Sequence, residues 1–203
     1  MFQPFSIPSQ SMAPTLIPGD YVLVSKVSYG YGPYSLLLVT AGLSRRLPEG
    51  WLPERGDVVV FRMPGTGVDF IKRVVGLPGD RIQLIQNVLR INGVAVPRER
   101  IGDAVEDSTG QRAIRYREML SNGVSYTTQV FNDNSPFANT PEYTVPAGHY
   151  FALGDNRDNS VDSRMANQVG YVPANNLIGR AEVILFSGSA GGIRWDRTFQ
   201  AIH

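Results

Sequence analysis

Glycine and proline interrupt this chain so often that long helices cannot form along most of it. The 203 residues include 21 Gly and 14 Pro, and both residues are unfavourable inside helices. Between these breaks lie short runs rich in β-branched and aromatic residues, which is the pattern of strands separated by turns. They cover residues 21–24, 58–61, 70–75, 81–85, 88–91, 124–131, 150–153 and 181–186. The sequence therefore predicts a mainly β fold with antiparallel sheets.

The composition changes between residues 96 and 117. Seven charged residues fall between Arg98 and Arg112, with little periodic apolar pattern. This predicts a polar, surface-rich insertion, and a long loop and a small domain both remain open.

Charge and residue inventory exclude several classes of function. Lys and Arg number 19 against 18 Asp and Glu, whereas a nucleic-acid-binding protein usually carries a clustered basic excess. The chain has no cysteine, which excludes disulfides, cysteine proteases and Cys-ligated zinc sites. The two histidines are His149 and the last residue, His203, and no G-x-S-x-G elbow accompanies them. For His149, an ordinary imidazole at a strand edge is therefore favoured over a triad base.

Residues 155–164 first suggest a calcium loop, because Asp158, Ser160 and Asp162 alternate along it. A calcium loop of this kind needs Gly at its sixth position and Glu at its twelfth. Here those positions hold Ser163 and Val169. We therefore expect no metal and no cofactor, and a hydrogen-bonded loop with internal Arg–carboxylate pairs.

Lysine is rare, and this narrows the search for a general base. Of the 19 basic residues only Lys26 and Lys72 are lysines, and arginine does not deprotonate at useful pH. Strand alternation places Lys72 on one face with Phe70 and Val74, where burial would favour the neutral amine. The same alternation places Arg73 between apolar neighbours, so the pattern leaves open which cation points inward, and Lys72 could also reach solvent.

A second candidate segment is IPSQSMAPTLIPGD, residues 7–20. Its three prolines favour an extended, bent loop that cannot be a long helix. Such a loop holds Ser11 rigidly, although a serine in this setting is more often only a turn residue.

Three segments together resemble the signature boxes of bacterial type I signal peptidases. They are IPSQSMAPTL (residues 7–16), FIKRVVGLPGD (70–80) and GDNRDNSVDSR (154–164), in the order in which the family carries them. GDYVLV (19–24) and RGDVVVF (55–61) are similar to two intervening boxes. One difference is Gln10, where many members have Gly.

This resemblance implies a serine endopeptidase with a Ser/Lys dyad. Ser11 is then the nucleophile and Lys72 the general base, and an acyl-enzyme forms on Ser11. The oxyanion hole consists of the Ser11 backbone N–H and the Ser9 hydroxyl, and Ser160 orients the Lys72 amine. Residues expected to brace the loop that carries Ser160 are Asp155, Arg157, Asp162 and Arg164.

The resemblance also implies a substrate class, a location and a domain organisation. The substrates are the signal-peptide regions of exported preproteins, cut after Ala-X-Ala-type junctions, with shallow apolar pockets beside Ser11. The pocket candidates are Ile7, Pro8, Met12, Leu16, Phe70 and Ile71, with core packing an equal alternative for Leu16 and Phe70. The catalytic β-core is expected at residues 1–80 and 147–203, with an apolar hairpin around 28–52 and an inserted cap at 81–146.

In this family a membrane-spanning helix closely precedes the catalytic serine. Only ten residues precede Ser11, and no apolar run is long enough to span a bilayer. We therefore expect a truncated chain without its anchor, from the outer, periplasmic face of the bacterial inner membrane. The lipid surface is an expected partner, and Trp195 either touches lipid or is buried.

Two other functions remain open. One is a specialised Ser/Lys peptidase or a self-cleaving protein built on the same core. The other is a catalytically silent β-rich binding module that keeps the boxes for folding.

Overall fold

The computed structural model describes residues 2–29, 52–63, 65–105, 110–132 and 135–203. Most of the predicted hairpin around 28–52 therefore lies outside the described residues. Within the described ranges, the only helices are two 3-10 turns, Ala174–Asn176 and Trp195–Arg197. No helix in these ranges is long and apolar enough to cross a membrane.

Strands make up the rest of the regular structure, and the predicted antiparallel β fold is confirmed. The strands are β1 (Phe2–Ser6), β2 (Asp20–Ser25), β3 (Val58–Arg62), β4 (Asp69–Gly76), β5 (Arg81–Ile85), β6 (Val88–Ile91), β7 (Val94–Ala95), β8 (Arg98–Val105), β9 (Arg112–Met119), β10 (Ser125–Val130), β11 (Tyr143–Thr144), β12 (His149–Leu153), β13 (Val172–Pro173), β14 (Leu177–Ser189), β15 (Gly192–Ile193) and β16 (Gln200–Ala201).

Three sheets are formed by these strands. The largest has the order β1-β2-β14-β3-β4-β12-β13, and β15 and β16 also pair with β14. A three-stranded sheet has the order β10-β9-β8, and a four-stranded sheet the order β11-β5-β6-β7. Both smaller sheets lie between residues 81 and 144, so every strand of the predicted insertion belongs to them. The domain boundaries at residues 80 and 147 stay a prediction.

The charged segment forms strands, which resolves the open choice between a long loop and a structured unit. β8 and β9 pair from Arg98↔Glu118 to Val105↔Arg112. None of the eight β8 residues is buried, and six of them are exposed. The ladder and cross-strand charge pairs therefore hold this strand, which explains why no apolar alternation marks it.

Apolar packing joins the large sheet to the four-stranded sheet. Val75, Phe151 and Leu153 of the large sheet share one cluster with Ile82 and Leu84 of β5. A separate cluster beneath β2, β3 and β14 contains Met12 and Leu16. The loop between β1 and β2 is thus fixed by core packing, and it carries Ser11.

Candidate active site

Ser11 lies in the loop that connects β1 to β2. The Ile7 N–H donates to the Asp20 carbonyl oxygen at 2.8 Å, which closes this loop at its base. The Asn156 N–H donates to the Ser11 carbonyl oxygen at 3.2 Å. These two main-chain hydrogen bonds fix the position of Ser11, which is only 9% exposed.

Lys72 lies in the middle of β4, where it is paired with Val59 of β3. Its side chain is buried, and its Nζ lies 2.8 Å from Ser11 Oγ, across 61 residues of sequence. The amine also donates to the Ile71 carbonyl oxygen at 2.7 Å and lies 5.4 Å from the centroid of the Phe70 ring. The structure therefore brings Ser11 and Lys72 into direct contact.

Burial lowers the pKa of Lys72 from 10.5 to about 8, because the charged amine loses its hydration. The carboxylates of Asp162 and Asp155 act in the opposite direction and raise this pKa. Each carboxylate is itself paired with an arginine, Arg164 and Arg73 respectively, at 2.8 Å. These pairs offset much of the negative potential that would otherwise keep the amine charged.

Two further serines line the same cavity. Ser9 Oγ lies 3.3 Å from Ser11 Oγ, so it is close to the position where an oxyanion would form. Ser160 is buried beside them, but the predicted hydrogen bond from Ser160 to Lys72 is not formed. The Ile71 carbonyl oxygen holds the amine instead.

Asp155 connects the Ser160 loop to β4. Its two oxygens accept from Arg73 Nε and Nη2, both at 2.8 Å, and Oδ2 also accepts from the Thr15 hydroxyl at 2.5 Å. Arg73 is fully buried and also donates to the carbonyl oxygens of Gly56 and His203 at 2.7 Å. Arg73, which follows Lys72 in β4, therefore holds the Ser160 loop in place.

The remaining bracing residues form two more buried pairs. Arg164 donates to Asp162 through Nε and Nη2 at 2.8 Å, and Asp162 Oδ2 accepts the Gly154 N–H at 3.0 Å. Arg157 Nη1 and Nη2 donate to the Glu118 carboxylate of β9 at 3.0 and 2.6 Å. Asp162–Arg164 is an internal pair of the loop, as the sequence predicted, whereas Asp155 and Arg157 pair with Arg73 and Glu118 outside it.

A cavity of about 510 Å³ opens above the two reactive side chains. It lies between β1 and the first half of β4 on one side and residues 158–161 on the other. The lining residues that the sequence predicted are Ile7, Pro8, Ser9, Ser11, Phe70, Ile71, Lys72 and Ser160.

Met12 and Leu16 do not line this cavity, which corrects the predicted pocket. Both are fully buried and pack with Val22 and Ile184 in the core. A main-chain bond from Leu16 N–H to the Met12 carbonyl oxygen, 2.9 Å long, closes a turn directly after Ser11. This turn directs the two apolar side chains inward, away from the cavity.

Among the described residues, no three His, Cys, Asp or Glu side chains are arranged to hold a metal ion.

Comparison with known proteins identifies the family. A family model described as "Signal peptidase, peptidase S26" matches residues 1–186. The chain belongs to this family. It is similar to signal peptidase I of Rickettsia typhi, with 41% identity over 195 residues that cover 92% of this chain and 73% of that protein. For signal peptidase I of Rickettsia canadensis the identity is 40% over 196 residues, covering 92% and 72%.

A solved structure is also similar to this signal peptidase family member. It is the crystal structure of a signal peptidase I from Enterococcus faecalis, which is 29% identical and has a TM-score of 0.38. The match covers 64% of this chain and 96% of that one.

Two buried residues of this family member were missed as site residues from the sequence. Arg73 was seen only as a competitor of Lys72 for the inward position, and no periodicity reveals its pairing with Asp155. Glu118 is one of many charges in residues 98–118. Glu118 is the one buried charge of β9, and strand alternation does not reveal it, because Ala113, the other buried residue of the strand, lies on the opposite face.

Proposed function

We propose that this signal peptidase family member is a serine endopeptidase that uses Ser11 as nucleophile and Lys72 as general base. It removes N-terminal signal peptides from exported preproteins at Ala-X-Ala-type junctions. The 2.8 Å contact between the buried Lys72 amine and Ser11 Oγ carries this proposal. Family membership supports peptide-bond hydrolysis by a serine peptidase.

The first step is proton transfer from Ser11 to Lys72. Near pH 8 about half of a lysine with a pKa of about 8 is neutral, against about 0.3% of one with a pKa of 10.5. The neutral amine accepts the Ser11 proton as Oγ attacks the scissile carbonyl carbon. The ammonium then gives this proton to the departing amine, which leaves an acyl-enzyme on Ser11.

Water hydrolyses the acyl-enzyme with the same base. Lys72 accepts a proton from the water as the water oxygen attacks the ester carbon. The bond between that carbon and Ser11 Oγ then breaks, the Lys72 ammonium returns the proton to Oγ, and the carboxylic acid product is released. In both steps the negative oxygen is stabilised by the Ser11 backbone N–H and the Ser9 hydroxyl. The 3.3 Å distance between Ser9 Oγ and Ser11 Oγ supports this role of the Ser9 hydroxyl. For Ser160 we propose an orienting hydrogen bond that forms when substrate closes the cavity.

The cavity suits an extended peptide. β1 is at the edge of the large sheet, and β12 pairs with β4 only from Arg73 onward. Residues 69–71 and β1 therefore offer unpaired main-chain groups on two sides of the cavity, and a substrate strand can pair with them. The apolar side chains of Ile7, Phe70 and Ile71 leave room for small residues such as alanine.

We also place the catalytic part at the outer, periplasmic face of the bacterial inner membrane, with the lipid surface as a partner. Support comes from exposed aromatic side chains at one end of the large sheet. Trp195 is 73% exposed and Phe199 is 74% exposed, and aromatic side chains such as that of Trp are enriched at the boundary between lipid and water.

The proposal is tested by peptide cleavage. A peptide with an Ala-X-Ala junction should be cut by the unmodified protein, and Ser11→Ala and Lys72→Ala should each reduce kcat by about 10²-fold or more. Lys72→Arg should be equally inactive, since arginine keeps the charge but cannot act as a base. Ser121→Ala, in an exposed turn, is the matched control and should be fully active.

The alternatives predict other results. A catalytically silent binding module cuts no peptide under any condition. Retained activity in Lys72→Ala, with circular dichroism unchanged, would reject the dyad.

A further inference from the structure

A second cavity, of about 570 Å³, borders residues 10–18 of the Ser11 loop and shares no lining residue with the catalytic cavity. We call it the Arg115 cavity. It is bordered by the Ser11 loop, by β8 to β10 of the three-stranded sheet and by the segment that follows β14. Its polar lining residues are Gln10, Arg115, Gln129, Arg194 and Arg197. The described lining residues include three arginines and no carboxylate, and only Arg197 is paired with a carboxylate, that of Asp20, so the cavity carries a net positive charge.

Two of the arginines are held in place by bonds that leave part of each guanidinium unused. Arg197 donates through Nε and Nη2 to Asp20, and Arg194 donates through Nε to Ser187 and through Nη2 to the Pro18 carbonyl oxygen. Neither Nη1 has an acceptor among the described residues. Each arginine is therefore pre-positioned while still able to donate to a ligand.

Arg115 and Gln129 lack acceptors for buried donors. They are cross-strand partners on β9 and β10, so their side chains lie on the same face. Arg115 forms no ion pair with the described residues, and its Nε is buried without a partner. Gln129 is only 2% exposed, and its Nε2 has no partner either. Buried donors without acceptors are costly, which indicates that a ligand with several acceptor oxygens belongs here.

Exposed apolar side chains lie in the same chain segment as the lining arginines Arg194 and Arg197. Trp195 lies in the chain between Arg194 and Arg197, and is 73% exposed. Phe199 and Ile193 nearby in sequence are 74% and 43% exposed, and Val105, which lines the cavity, is 63% exposed. Aromatic side chains next to arginines suit the boundary between acyl chains and lipid headgroups.

We propose that the Arg115 cavity binds the phosphate group of an anionic membrane lipid while Trp195 and Phe199 enter the bilayer surface. This inference rests on the membrane location proposed above. The formal net charge of the chain is only +1, so diffuse attraction to an anionic surface is weak. Selectivity for anionic lipid must therefore come from a local site, and this cavity is the place where donors, positive charge and apolar contact surface coincide.

The test measures partition of the protein onto vesicles by co-sedimentation. Vesicles containing phosphatidylglycerol should bind it more tightly than pure phosphatidylcholine vesicles. Arg115→Gln should lower the partition coefficient on the anionic vesicles by about 10-fold, the loss expected for a charged hydrogen bond. Arg81 is an exposed arginine of β5 whose only ion pair with the described residues is 3.6 Å long. Arg81→Gln removes the same charge and should change binding by less than about 2-fold.

A third variant separates a built site from diffuse charge. Arg115→Lys keeps the charge but loses the planar set of donors, so it should still lose about 3-fold or more in affinity for the anionic vesicles. Equal binding by Arg115→Lys and the unmodified protein would overturn the proposal, as would equal losses in Arg115→Gln and Arg81→Gln. Thermal unfolding of each variant checks that the fold is retained.

Two further measurements distinguish the sources of phosphate and the possible failures. Inorganic phosphate at millimolar concentration should compete weakly with the vesicles for the site. If inorganic phosphate binds in an Arg115-dependent way while vesicle binding does not depend on the lipid, the ligand of the cavity is a free anion and not a lipid. Cleavage of the Ala-X-Ala peptide in lipid-free solution tests the catalytic proposal separately. Active protein without Arg115-dependent vesicle binding would refute only the lipid site.

Discussion

At the scale of single residues, the site depends on the distance between Lys72 Nζ and Ser11 Oγ. A lowered lysine pKa raises the neutral fraction of the base at pH 8 by about two orders of magnitude. That gain is useful only if Ser11 Oγ stays within hydrogen-bonding distance of the amine. Residues that pack against the serine loop enforce this distance, and Gly154 is one of them.

Gly154 is expected to tolerate no side chain. A Cβ at this position would overlap severely with the Ser11 carbonyl oxygen and with Ser160 Oγ. Gly154→Ala should therefore displace the serine loop, reduce kcat by about 10²-fold and lower the free energy of unfolding by about 1–3 kcal/mol. Peptide cleavage and urea unfolding measure the two effects.

The matched control is Gly191→Ala. A Cβ there would lie 3.7 Å from Ser189 Oγ and meet no closer atom, so kcat should be unchanged. A Gly154→Ala variant as active as this control would show that the serine loop is not fixed by this contact.

The sequence predicted the two reactive residues but could not decide how they face each other. Strand alternation places Lys72 and Arg73 on opposite faces of β4, but only the packing of distant segments decides what each of them faces. Lys72 faces Ser11, whereas Arg73 faces Asp155 and the Tyr126 ring, 4.2 Å from its centroid. Ser11 and Lys72 are 61 residues apart, so their contact follows from sheet topology and not from local sequence.

At the scale of secondary-structure elements, a buried ion pair connects the three-stranded sheet to the loop that carries Ser160. Glu118 of β9 and Arg157 are each 1% exposed in their side chains, and the Tyr126 hydroxyl also donates to Glu118 at 2.8 Å. Burying two charges stabilises a fold only when every group keeps its partner. The three-stranded sheet therefore fixes the position of the loop that carries Ser160.

Glu118→Gln is expected to be strongly destabilising, because it leaves the Arg157 charge buried without its partner. The free energy of unfolding should fall by about 3–5 kcal/mol, and kcat should fall as the loop loosens. Urea denaturation and peptide cleavage at a temperature where the variant is folded measure both effects.

Glu99→Gln provides the comparison within the same sheet. Glu99 is exposed and lies 3.6 Å from Arg117, so its loss should cost less than about 1 kcal/mol. Similar losses in the two variants would mean that the Arg157 pair contributes no more than a surface ion pair.

The success of strand prediction depended on burial. Strands such as β3 and β12 are apolar and buried throughout most of their length, and the sequence marks them clearly. β8 has alternating charges on an exposed surface, and β1 is a five-residue edge strand containing Pro4. Neither strand has an apolar pattern in the sequence, because each is held by hydrogen bonds to a neighbouring strand and not by burial of apolar side chains.

At the scale of the whole molecule, the catalytic cavity exists only where three distant parts of the chain meet. Its walls come from residues 5–11, from β3 and β4, and from residues 158–165. Family boxes in the sequence indicated all three parts, and the pocket prediction failed only at Met12 and Leu16, where a local turn decides which side chains face inward. The sequence likewise marked the insertion between the second and third part, but not the buried pairs that join it to the core.

The pH dependence of kcat/KM for an Ala-X-Ala peptide tests the central claim most directly. Activity should fall about tenfold per unit as the pH drops below an apparent pKa of about 8, because protonation of buried Lys72 removes the base. Above that pH the rate should reach a plateau. An acidic limb centred near 10.5, the ordinary value for a solvated lysine, would contradict the account, as would a rate that does not change between pH 6 and pH 9.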